Sequence, residues 1–261
     1  MDVSTLFSLS GANALVTGGS RGIGAMIAQG LIGAGADVFI CGRKEKELME
    51  AAERLGAMPL VADLSTDAGV EGLAKAMRER VSRLDILVNN AGAAWGAPFD
   101  AFPRSGFDKV LNLNVVAVFA LTQALHPLLK AAASPEHPAR VINISSIDGL
   151  TPPRGPTFSY SASKAALNML TRHLASIFAA DHITCNAIAP GLFETKFSAH
   201  MFDPGHPKFD DRPLIPMNRA GNPEDIAGAA IYLASRAGGY VTGAILPVSG
   251  GSGCFQDLAD K

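Results

Sequence analysis

A tyrosine and a lysine lie four positions apart in the stretch SYSASKAAL, as Tyr160 and Lys164. On an α-helix, positions i and i+4 share a face, so both side chains would point into the same neighbourhood. A nearby ammonium stabilises a phenolate and so lowers the phenol's pKa, which is about 10 in a free tyrosine. The pair therefore suits acid–base chemistry, although taken alone it is more typical of an ordinary helix with one aromatic residue and one surface lysine.

A second candidate site lies in the stretch TGGSRGIG (17–24), between the first predicted strand and the first predicted helix. Because Gly18, Gly22 and Gly24 lack Cβ atoms, the backbone can turn sharply and a pyrophosphate can approach the N-terminus of the helix. The spacing is Gly-x-x-x-Gly-x-Gly and differs from the more familiar Gly-x-Gly-x-x-Gly fingerprint. A glycine-rich turn alone is a weak indication, but its position in the chain favours dinucleotide binding.

The end of the second predicted strand, VFICGRKEKE, distinguishes NAD from NADP. An acid normally holds the ribose 2′-hydroxyl there, whereas a 2′-phosphate favours arginine. Cys41 and Gly42 occupy the positions expected for that acid, Arg43 follows them, and Arg21 in the glycine turn adds a second cation. Two arginines without a competing carboxylate predict NADP(H). The alternative is that Arg43 is only the exposed first residue of a charged helix.

Two further stretches fit the same pocket. Asp63 ends the stretch LVAD, where it could accept a hydrogen bond from the adenine amino group. The stretch NNAG (89–92) ends the fourth predicted strand, and its small residues would let the backbone approach adenosine and ribose. Either stretch is also compatible with a simple turn at the end of a strand.

Composition limits the function classes. The chain has 261 residues, 48% of them hydrophobic and 18% charged, with a net charge of −2. This suits a globular protein with a sizeable core and leaves no basic excess for a nucleic acid or an anionic membrane. The N-terminus does not resemble a secretory signal, and polar residues interrupt the longest apolar stretch (110–129), so we expect a buried helix there. Three scattered cysteines predict neither disulfides nor a metal site, and a cytoplasmic location is expected.

The predicted elements alternate along the chain without a linker or an internal repeat. The predicted strands are 13–17, 37–41, 57–63, 84–90, 139–145, 182–190 and 243–251. The predicted helices are 22–35, 44–56, 66–82, 106–132, 158–179 and 222–235. Strands alternating with helices imply right-handed crossovers and a parallel sheet covered on both faces. The sequence therefore predicts an α/β fold: one doubly wound, Rossmann-type domain over residues 1–261 with about seven parallel strands.

The motifs together resemble those of a known family. TGGSRGIG, NNAG, YSASK and APG occur in the order and at the separations typical of short-chain dehydrogenase/reductases, and the resemblance covers essentially the whole chain. Within that family the chain is most similar to NADPH-dependent β-ketoacyl (3-oxoacyl) reductases, including the type associated with rhamnolipid biosynthesis. With all these motifs present, the interpretation of YSASK as an ordinary helix no longer holds.

The resemblance implies a catalytic tetrad formed by Ser146, Tyr160, Lys164 and Asn114. Tyr160 would exchange a proton with the substrate oxygen, which Ser146 would also bind. Lys164 would lower the pKa of Tyr160 and hold the nicotinamide ribose, and Asn114 would hold a water of a proton relay. Ser145 is the second choice for the serine, and Asn112 is a weaker choice than Asn114.

The resemblance also implies a cofactor site, a substrate lid and an assembly. The predicted NADP(H)-binding residues are Gly18, Ser20, Arg21, Gly22, Ile23, Gly24, Arg43, Asp63, Leu64, Asn90, Ala91, Gly92, Tyr160, Lys164, Pro190, Gly191, Phe193 and Thr195. The lid would span about 192–217, with apolar residues that either line an acyl chain or merely anchor the loop: Phe197, Met201, Phe202, Phe209 and Ile215. Trp95 would border the substrate or pack against the body. A homodimer or homotetramer is expected by analogy.

Several functions share this fold and tetrad. The first is NADPH-dependent reduction of a ketone, such as a 3-oxoacyl thioester on acyl carrier protein or CoA, to a secondary alcohol. The second is oxidation or reduction of another secondary alcohol or ketone, such as a sugar, a steroid or a xenobiotic. An enoyl reductase fits less well, because relatives that reduce C=C bonds space tyrosine and lysine more widely. A non-catalytic NADP-binding regulator usually lacks one member of the tetrad.

Overall fold

Seven parallel strands form one sheet in the computed structural model, which describes residues 2–153, 155–195, 198 and 215–253. The strands are β1 Asn13–Thr17, β2 Asp37–Gly42, β3 Met58–Val61, β4 Ile86–Asn89, β5 Ala139–Ile144, β6 Ile183–Pro190 and β7 Ile245–Val248. Their order in the sheet is β3-β2-β1-β4-β5-β6-β7, and every neighbouring pair is parallel. The predicted doubly wound α/β fold with about seven parallel strands is confirmed.

Helices connect these strands and cover both faces of the sheet. Those within the described residues are α1 Val3–Leu6, α2 Gly22–Gly33, α3 Glu45–Leu55, α4 Asp67–Arg80, α5 Arg104–Leu111, α6 Ala117–Ala132, α7 Phe158–Phe178 and α8 Pro223–Ala234. One apolar cluster joins a face of the sheet to α4, α6 and α7, and a second joins the other face to α2, α3 and α8. The central strands are buried on both faces, which explains their nearly continuous apolar sequences.

The order of the strands places the candidate site. The chain reverses its direction of travel across the sheet between β1 and β4, and in such sheets ligands bind outside the carboxyl ends of the strands at that point. The glycine turn and the NNAG stretch begin with the last residues of β1 and β4, and Ser146 lies two residues after the end of β5. They therefore lie together along one edge of the sheet.

Two elements differ from the prediction. A short helix, α1, precedes the first strand, and the Asp2 carboxylate caps it by accepting a hydrogen bond from the backbone N–H of Ser4 at 3.0 Å. The predicted helix 106–132 begins at Arg104 and contains a π-helical turn, Asn112–Val116, between α5 and α6. By length and composition the stretch Arg104–Ala132 could cross a membrane, and part of its surface packs against α4, α7 and β5. A π turn often marks a functional site.

Further predictions concern the start of α8, the cysteines and the apolar residues of the predicted lid. The predicted helix 222–235 corresponds to α8, which begins at Pro223 with Asn222 as its N-cap, and the Asn222 N–H donates to the Asp225 carboxylate at 2.7 Å. Cys41 and Cys185 are buried free thiols, and burial raises the pKa of each to about 12. Of the apolar residues predicted for the lid, Ile215 is buried, whereas Phe197, Met201, Phe202 and Phe209 lie outside the described residues.

Candidate active site

Three of the four predicted tetrad residues meet at the carboxyl end of β5. Ser146 follows β5, while Tyr160 and Lys164 lie one turn apart near the beginning of α7. The Ser146 side chain forms a hydrogen bond with the Tyr160 hydroxyl. The Lys164 Nζ lies 5.6 Å from the centroid of the Tyr160 ring. The structure therefore places a hydroxyl, a phenol and an amine around one point.

The pKa of Tyr160 moves in the direction opposite to the prediction. Burial raises it to about 12, the hydrogen bond from Ser146 opposes that rise, and the charge of Asp148 adds to it. In this structure the effect of burial outweighs the lowering expected from Lys164, whose Nζ donates to the Ile144 carbonyl oxygen at 2.7 Å. Tyr160 keeps its proton at neutral pH.

Lys164 is a buried amine with only 5% of its surface exposed. Burial penalises the ammonium and lowers the pKa of Lys164 to about 8. A lysine in this environment titrates near physiological pH, unlike a lysine on the surface. The carbonyl of Ile144, the last residue of β5, fixes the position of the amine.

Ser146 is oriented by the turn that it begins. It caps a short 3-10 turn, Ile147–Gly149, and its Oγ accepts a hydrogen bond from the Asp148 N–H at 3.1 Å. The Ser145 hydroxyl instead donates to the Lys164 carbonyl oxygen at 3.3 Å, on the backbone of α7. This arrangement supports Ser146 over Ser145 as the serine that faces the tyrosine.

Asn114 lies in the π turn, 1% exposed, and its amide links two elements of the site. Its Oδ1 accepts from the Ala93 N–H at 2.8 Å, and its Nδ2 donates to the Ala93 carbonyl at 2.9 Å and to the Ser163 Oγ at 2.9 Å. Asn112, by contrast, donates to the Ser65 carbonyl on the exposed side. The contacts make Asn114 a positioning residue, and its role in holding a water stays a prediction.

Sequence reasoning missed two groups that support this arrangement. Ser163, which is fully buried, donates from its Oγ to the Tyr160 carbonyl at 2.7 Å and so links Asn114 to α7. Its position three residues after Tyr160 on a helix is a signal that could have identified it. The Ile144 carbonyl gives no such signal, because any residue supplies a backbone oxygen.

The glycine turn is packed against the NNAG stretch. A Cβ on Gly24 would lie 2.4 Å from both the Asn90 Nδ2 and the Gly18 carbonyl oxygen. The Asn90 amide donates to the carbonyl oxygens of Thr17, at 2.9 Å, and Gly18, at 3.2 Å. Gly19, which was not predicted, is equally constrained, because a Cβ there would lie 2.7 Å from the Ile40 Cγ2. Glycine at these positions is required for packing, and its role in the approach of a ligand stays a prediction.

Thr17 is a further residue that sequence reasoning missed. Its buried Oγ1 accepts hydrogen bonds from the backbone N–H groups of Asn90, at 2.9 Å, and Ala91, at 3.0 Å. It also donates to the Val88 carbonyl at 3.3 Å. Thr17 therefore holds the NNAG backbone beside the glycine turn, and its place as the last residue of β1 was the available signal.

The turn has the features of a dinucleotide site. Gly18 and Gly22 have φ angles of 64° and 54°, a backbone region that favours glycine. The Arg21 side chain does not cap α2, so the first N–H groups of this helix stay available to an anion. Across the turn, a Cβ on Gly22 would lie 3.4 Å from the Thr195 Cγ2. These residues fit the pyrophosphate and nicotinamide ends of a bound dinucleotide.

The remaining predicted cofactor residues divide into two groups. Pro190 ends β6, Gly191 packs on Ser249, and Phe193 pairs with Gly221, so all three border the base of the predicted lid. Leu64, in contrast, is buried in the apolar cluster that includes α4. Ile23 is partly buried and packs against the cluster on the other face of the sheet. A Cβ on Gly92 would lie 3.2 Å from the Asn114 Oδ1. Contacts from Leu64 to a cofactor would therefore come from its backbone.

The predicted 2′-phosphate site contains a carboxylate that the sequence analysis did not anticipate. Glu47, in the first turn of α3, lies 2.7 Å from the Lys44 Nζ and 3.8 Å from an Arg21 guanidinium nitrogen. The expectation of no competing carboxylate is therefore wrong, because an acid reaches this point from α3 rather than from the end of β2. Arg43 is near Asp63, on which its positive charge acts.

Asp63 and Trp95 make local contacts. The Asp63 Oδ1 accepts from the Ser65 N–H at 3.0 Å and the Ser65 Oγ at 2.7 Å, and these bonds, with a smaller effect of Arg43, lower the pKa of Asp63. A contact from Asp63 to adenine stays a prediction. The Trp95 ring covers Gly106 and lies 5.8 Å from the Lys109 Nζ, which supports the packing interpretation of that residue.

Comparison with known proteins identifies the family. A family model described as enoyl-(acyl carrier protein) reductase matches residues 18–253. The chain belongs to the short-chain dehydrogenase/reductase family of oxidoreductases.

Particular members of the family are closely similar. The chain is 49% identical over 249 residues to the rhamnolipids biosynthesis 3-oxoacyl-[acyl-carrier-protein] reductase of Pseudomonas aeruginosa, covering 94% of this chain and 97% of that protein. It is 37% identical over 262 residues to gluconate 5-dehydrogenase of Gluconobacter oxydans, covering 94% and 96%. The solved Pseudomonas aeruginosa RhlG/NADP active-site complex superposes with a TM-score of 0.92 at 48% identity, covering 95% of this chain and 99% of that one.

Proposed function

We propose that this protein is an NADPH-dependent reductase that converts a 3-oxoacyl thioester, on acyl carrier protein or CoA, to the 3-hydroxyacyl form. The observation that carries the proposal is the group formed by Ser146, Tyr160 and Lys164, in which Ser146 is hydrogen-bonded to the Tyr160 hydroxyl and the Lys164 Nζ lies 5.6 Å from the centroid of the Tyr160 ring. The choice of substrate rests on the 49% identical 3-oxoacyl reductase.

The glycine turn, Arg21 and Arg43 would hold the adenosine and phosphate end of NADPH, and Thr195 would hold the nicotinamide end. When bound, the reduced nicotinamide supplies a hydride to the carbonyl carbon of the substrate. The similar solved structure of RhlG is a complex with NADP, which supports the choice of cofactor. The half-exposed cations at the adenosine end supply the charge that a 2′-phosphate requires.

The residues of this chain would handle the substrate oxygen. Ser146, whose Oγ already accepts from the Asp148 N–H, can direct its own proton toward the carbonyl oxygen. Tyr160 would donate its proton to that oxygen as negative charge develops, because an alkoxide is a stronger base than a phenolate. The Lys164 ammonium, held beside the ring by Ile144, would then stabilise the phenolate.

A second candidate function is oxidation or reduction of another secondary alcohol or ketone by the same group. The 37% identity to gluconate 5-dehydrogenase favours keeping it, because the two proteins align over nearly their full lengths. The tetrad does not discriminate between these substrates, since the reacting oxygen is the only part of the substrate that it would contact. A third, non-catalytic role is disfavoured because all four tetrad residues are present.

We also propose that the protein is a cytoplasmic homodimer or homotetramer with neither a nucleic acid nor a membrane as partner. Exposed apolar side chains on α6 and α7 support an assembly through these helices: Phe119 is 44% exposed, Met169 63% and Ile177 62%. Light scattering coupled to size exclusion would test this, and a monomer at micromolar concentration would contradict it.

Initial rates test the proposed function. We would measure them with NADPH and with NADH, at equal concentration, on acetoacetyl-CoA and on a longer 3-oxoacyl-CoA. Turnover with NADPH that increases with chain length would support the proposal. Tight binding of NADPH without turnover of either thioester would favour the second candidate function. A clear preference for NADH would contradict the assignment of Arg21 and Arg43 to a 2′-phosphate.

A further inference from the structure

Charged side chains cluster in the region to which the proposed function assigns the 2′-phosphate, and we call Arg21, Arg43, Lys44 and Glu47 the phosphate rim. Three elements meet there: the glycine turn, the end of β2 and the first turn of α3. A Cβ on Gly42 would lie 3.7 Å from the Ser20 Oγ and 3.5 Å from the Leu48 Cδ1, so the three elements are in close contact. The rim is therefore one continuous surface.

Glu47 is held at this surface by the fold. It lies in the first turn of α3, three residues after Lys44, and the next residue, Leu48, is fully buried in the core. Its two carboxylate oxygens face different cations, Oε1 the Lys44 Nζ at 2.7 Å and Oε2 an Arg21 nitrogen at 3.8 Å. Because the helix backbone is anchored, the Glu47 Cα stays beside the rim when a ligand arrives, which keeps its carboxylate within reach of the cations.

We propose that Glu47 is a specificity-determining residue, whose carboxylate competes with the cofactor's 2′-phosphate for Lys44 and Arg21 and so limits the preference for NADPH over NADH. This inference rests on the proposed use of NADP(H). The 2′-phosphate carries a charge of about −1.5 to −2 and must displace or share the cations that Glu47 engages. The 2′-hydroxyl of NADH carries no charge and leaves those ion pairs in place.

The expected effect is moderate because the rim is half-exposed. The Arg21 and Lys44 side chains are each 59% exposed and that of Glu47 is 42% exposed, so water and salt screen the attraction. Removing the carboxylate should tighten the binding of a 2′-phosphate by about threefold to tenfold at low salt. The gain should shrink at high salt.

The test is the substitution Glu47→Gln in the full chain. Calorimetric titration would give Kd values for NADPH, NADH, adenosine 2′,5′-bisphosphate and 5′-AMP at low and high salt. Glu50→Gln is the matched control, because Glu50 lies on the same helix, pairs with Lys46 at 4.0 Å and carries the same charge. We expect Glu47→Gln to lower the Kd values of NADPH and the bisphosphate only. Glu50→Gln should leave all four Kd values within about twofold of those of the unsubstituted protein.

Three outcomes would overturn the inference: an unchanged NADPH Kd in Glu47→Gln, a higher NADPH Kd in Glu47→Gln, or an equal decrease of the NADPH Kd in Glu50→Gln. A higher Kd would mean that Glu47 orients the cations. An equal decrease in both variants would mean that net charge alone acts. Failure of the proposed use of NADP(H), on which the inference rests, looks different, since the unsubstituted protein would then bind NADH more tightly than NADPH or bind neither. The same titration series therefore separates the two.

Discussion

The two ends of the candidate site are built differently. At the catalytic end, Lys164 and Asn114 are 5% and 1% exposed, and each makes hydrogen bonds of 2.7–2.9 Å. At the phosphate rim, the side chains of Arg21 and Glu47 are 59% and 42% exposed and lie 3.8 Å apart. The catalytic end fixes atoms in a low-dielectric interior, whereas the rim presents charges to water.

This difference determines how each end should respond to change. Removing a buried, bonded group leaves partners unsatisfied and costs about 1–3 kcal/mol, whereas an exposed ion pair contributes about 0–1 kcal/mol. Substitutions at the catalytic end should therefore alter chemistry or folding strongly and be insensitive to salt. Those at the rim should alter cofactor choice modestly and depend on salt.

The largest effect is expected for Tyr160→Phe, which removes the proton donor and leaves the ring in place. We expect kcat for ketone reduction to fall by about 10²–10⁴-fold. Tyr240→Phe is the control, because Tyr240 is fully exposed. Activity within tenfold of the parent in Tyr160→Phe would show that another group supplies the proton.

The next effect in size is that of Asn114→Ala, which leaves the Ala93 backbone groups and Ser163 without their buried partner. We expect the free energy of unfolding to fall by about 1–3 kcal/mol. Asn112→Ala removes an exposed bond to Ser65 and should cost less than about 1 kcal/mol. Urea unfolding of both variants tests this order, and equal losses would contradict the contrast between buried and exposed bonds.

Gly24→Ala tests the close packing of the glycine turn. The added Cβ would lie 2.4 Å from the Gly18 carbonyl oxygen and the Asn90 amide, so the turn must move. We expect a loss of about 1–3 kcal/mol in stability and a higher Kd for NADPH. Gly33→Ala, in the same helix but with nothing within 4 Å of the new Cβ, should be neutral or slightly stabilising. Equal changes in stability and in NADPH Kd for the two variants would contradict the claim that close packing at Gly24 excludes a Cβ.

The pH profile gives a smaller but informative effect. The pKa of Lys164 is lowered to about 8, so its ammonium is lost as the pH rises through that value. Because kcat/KM reports the free enzyme, it should decrease above about pH 8 for ketone reduction. In Lys164→Arg, whose guanidinium stays charged, that decrease should disappear even though the maximum rate is lower. If kcat/KM still decreases above about pH 8 in Lys164→Arg, a group other than Lys164 causes the decrease.

Most of the fold could be predicted from the sequence, because buried parallel strands and helices differ in apolar pattern and length. The carboxyl-end site could also be predicted, since glycine spacing and strand ends identify it. The π turn at Asn112–Val116 could not, because its hydrogen bonds leave no mark in an apolar helix pattern. Glu47 was missed because its position depends on how α3 approaches the glycine turn. The high pKa of Tyr160 depends on burial, which the Tyr-x-x-x-Lys spacing does not report.

The most direct test compares one variant at the catalytic end with one variant at the phosphate rim in the same experiment. The single-turnover rate at saturating NADPH and the NADPH Kd would be measured for Tyr160→Phe and for Arg43→Ala, with acetoacetyl-CoA or a longer 3-oxoacyl-CoA as substrate. We predict that Tyr160→Phe loses about 10²–10⁴-fold in rate with a nearly unchanged Kd, and that Arg43→Ala weakens NADPH by about threefold to tenfold with a nearly unchanged rate. A rate loss in Arg43→Ala comparable to that of Tyr160→Phe, or full turnover by Tyr160→Phe, would contradict this division of roles.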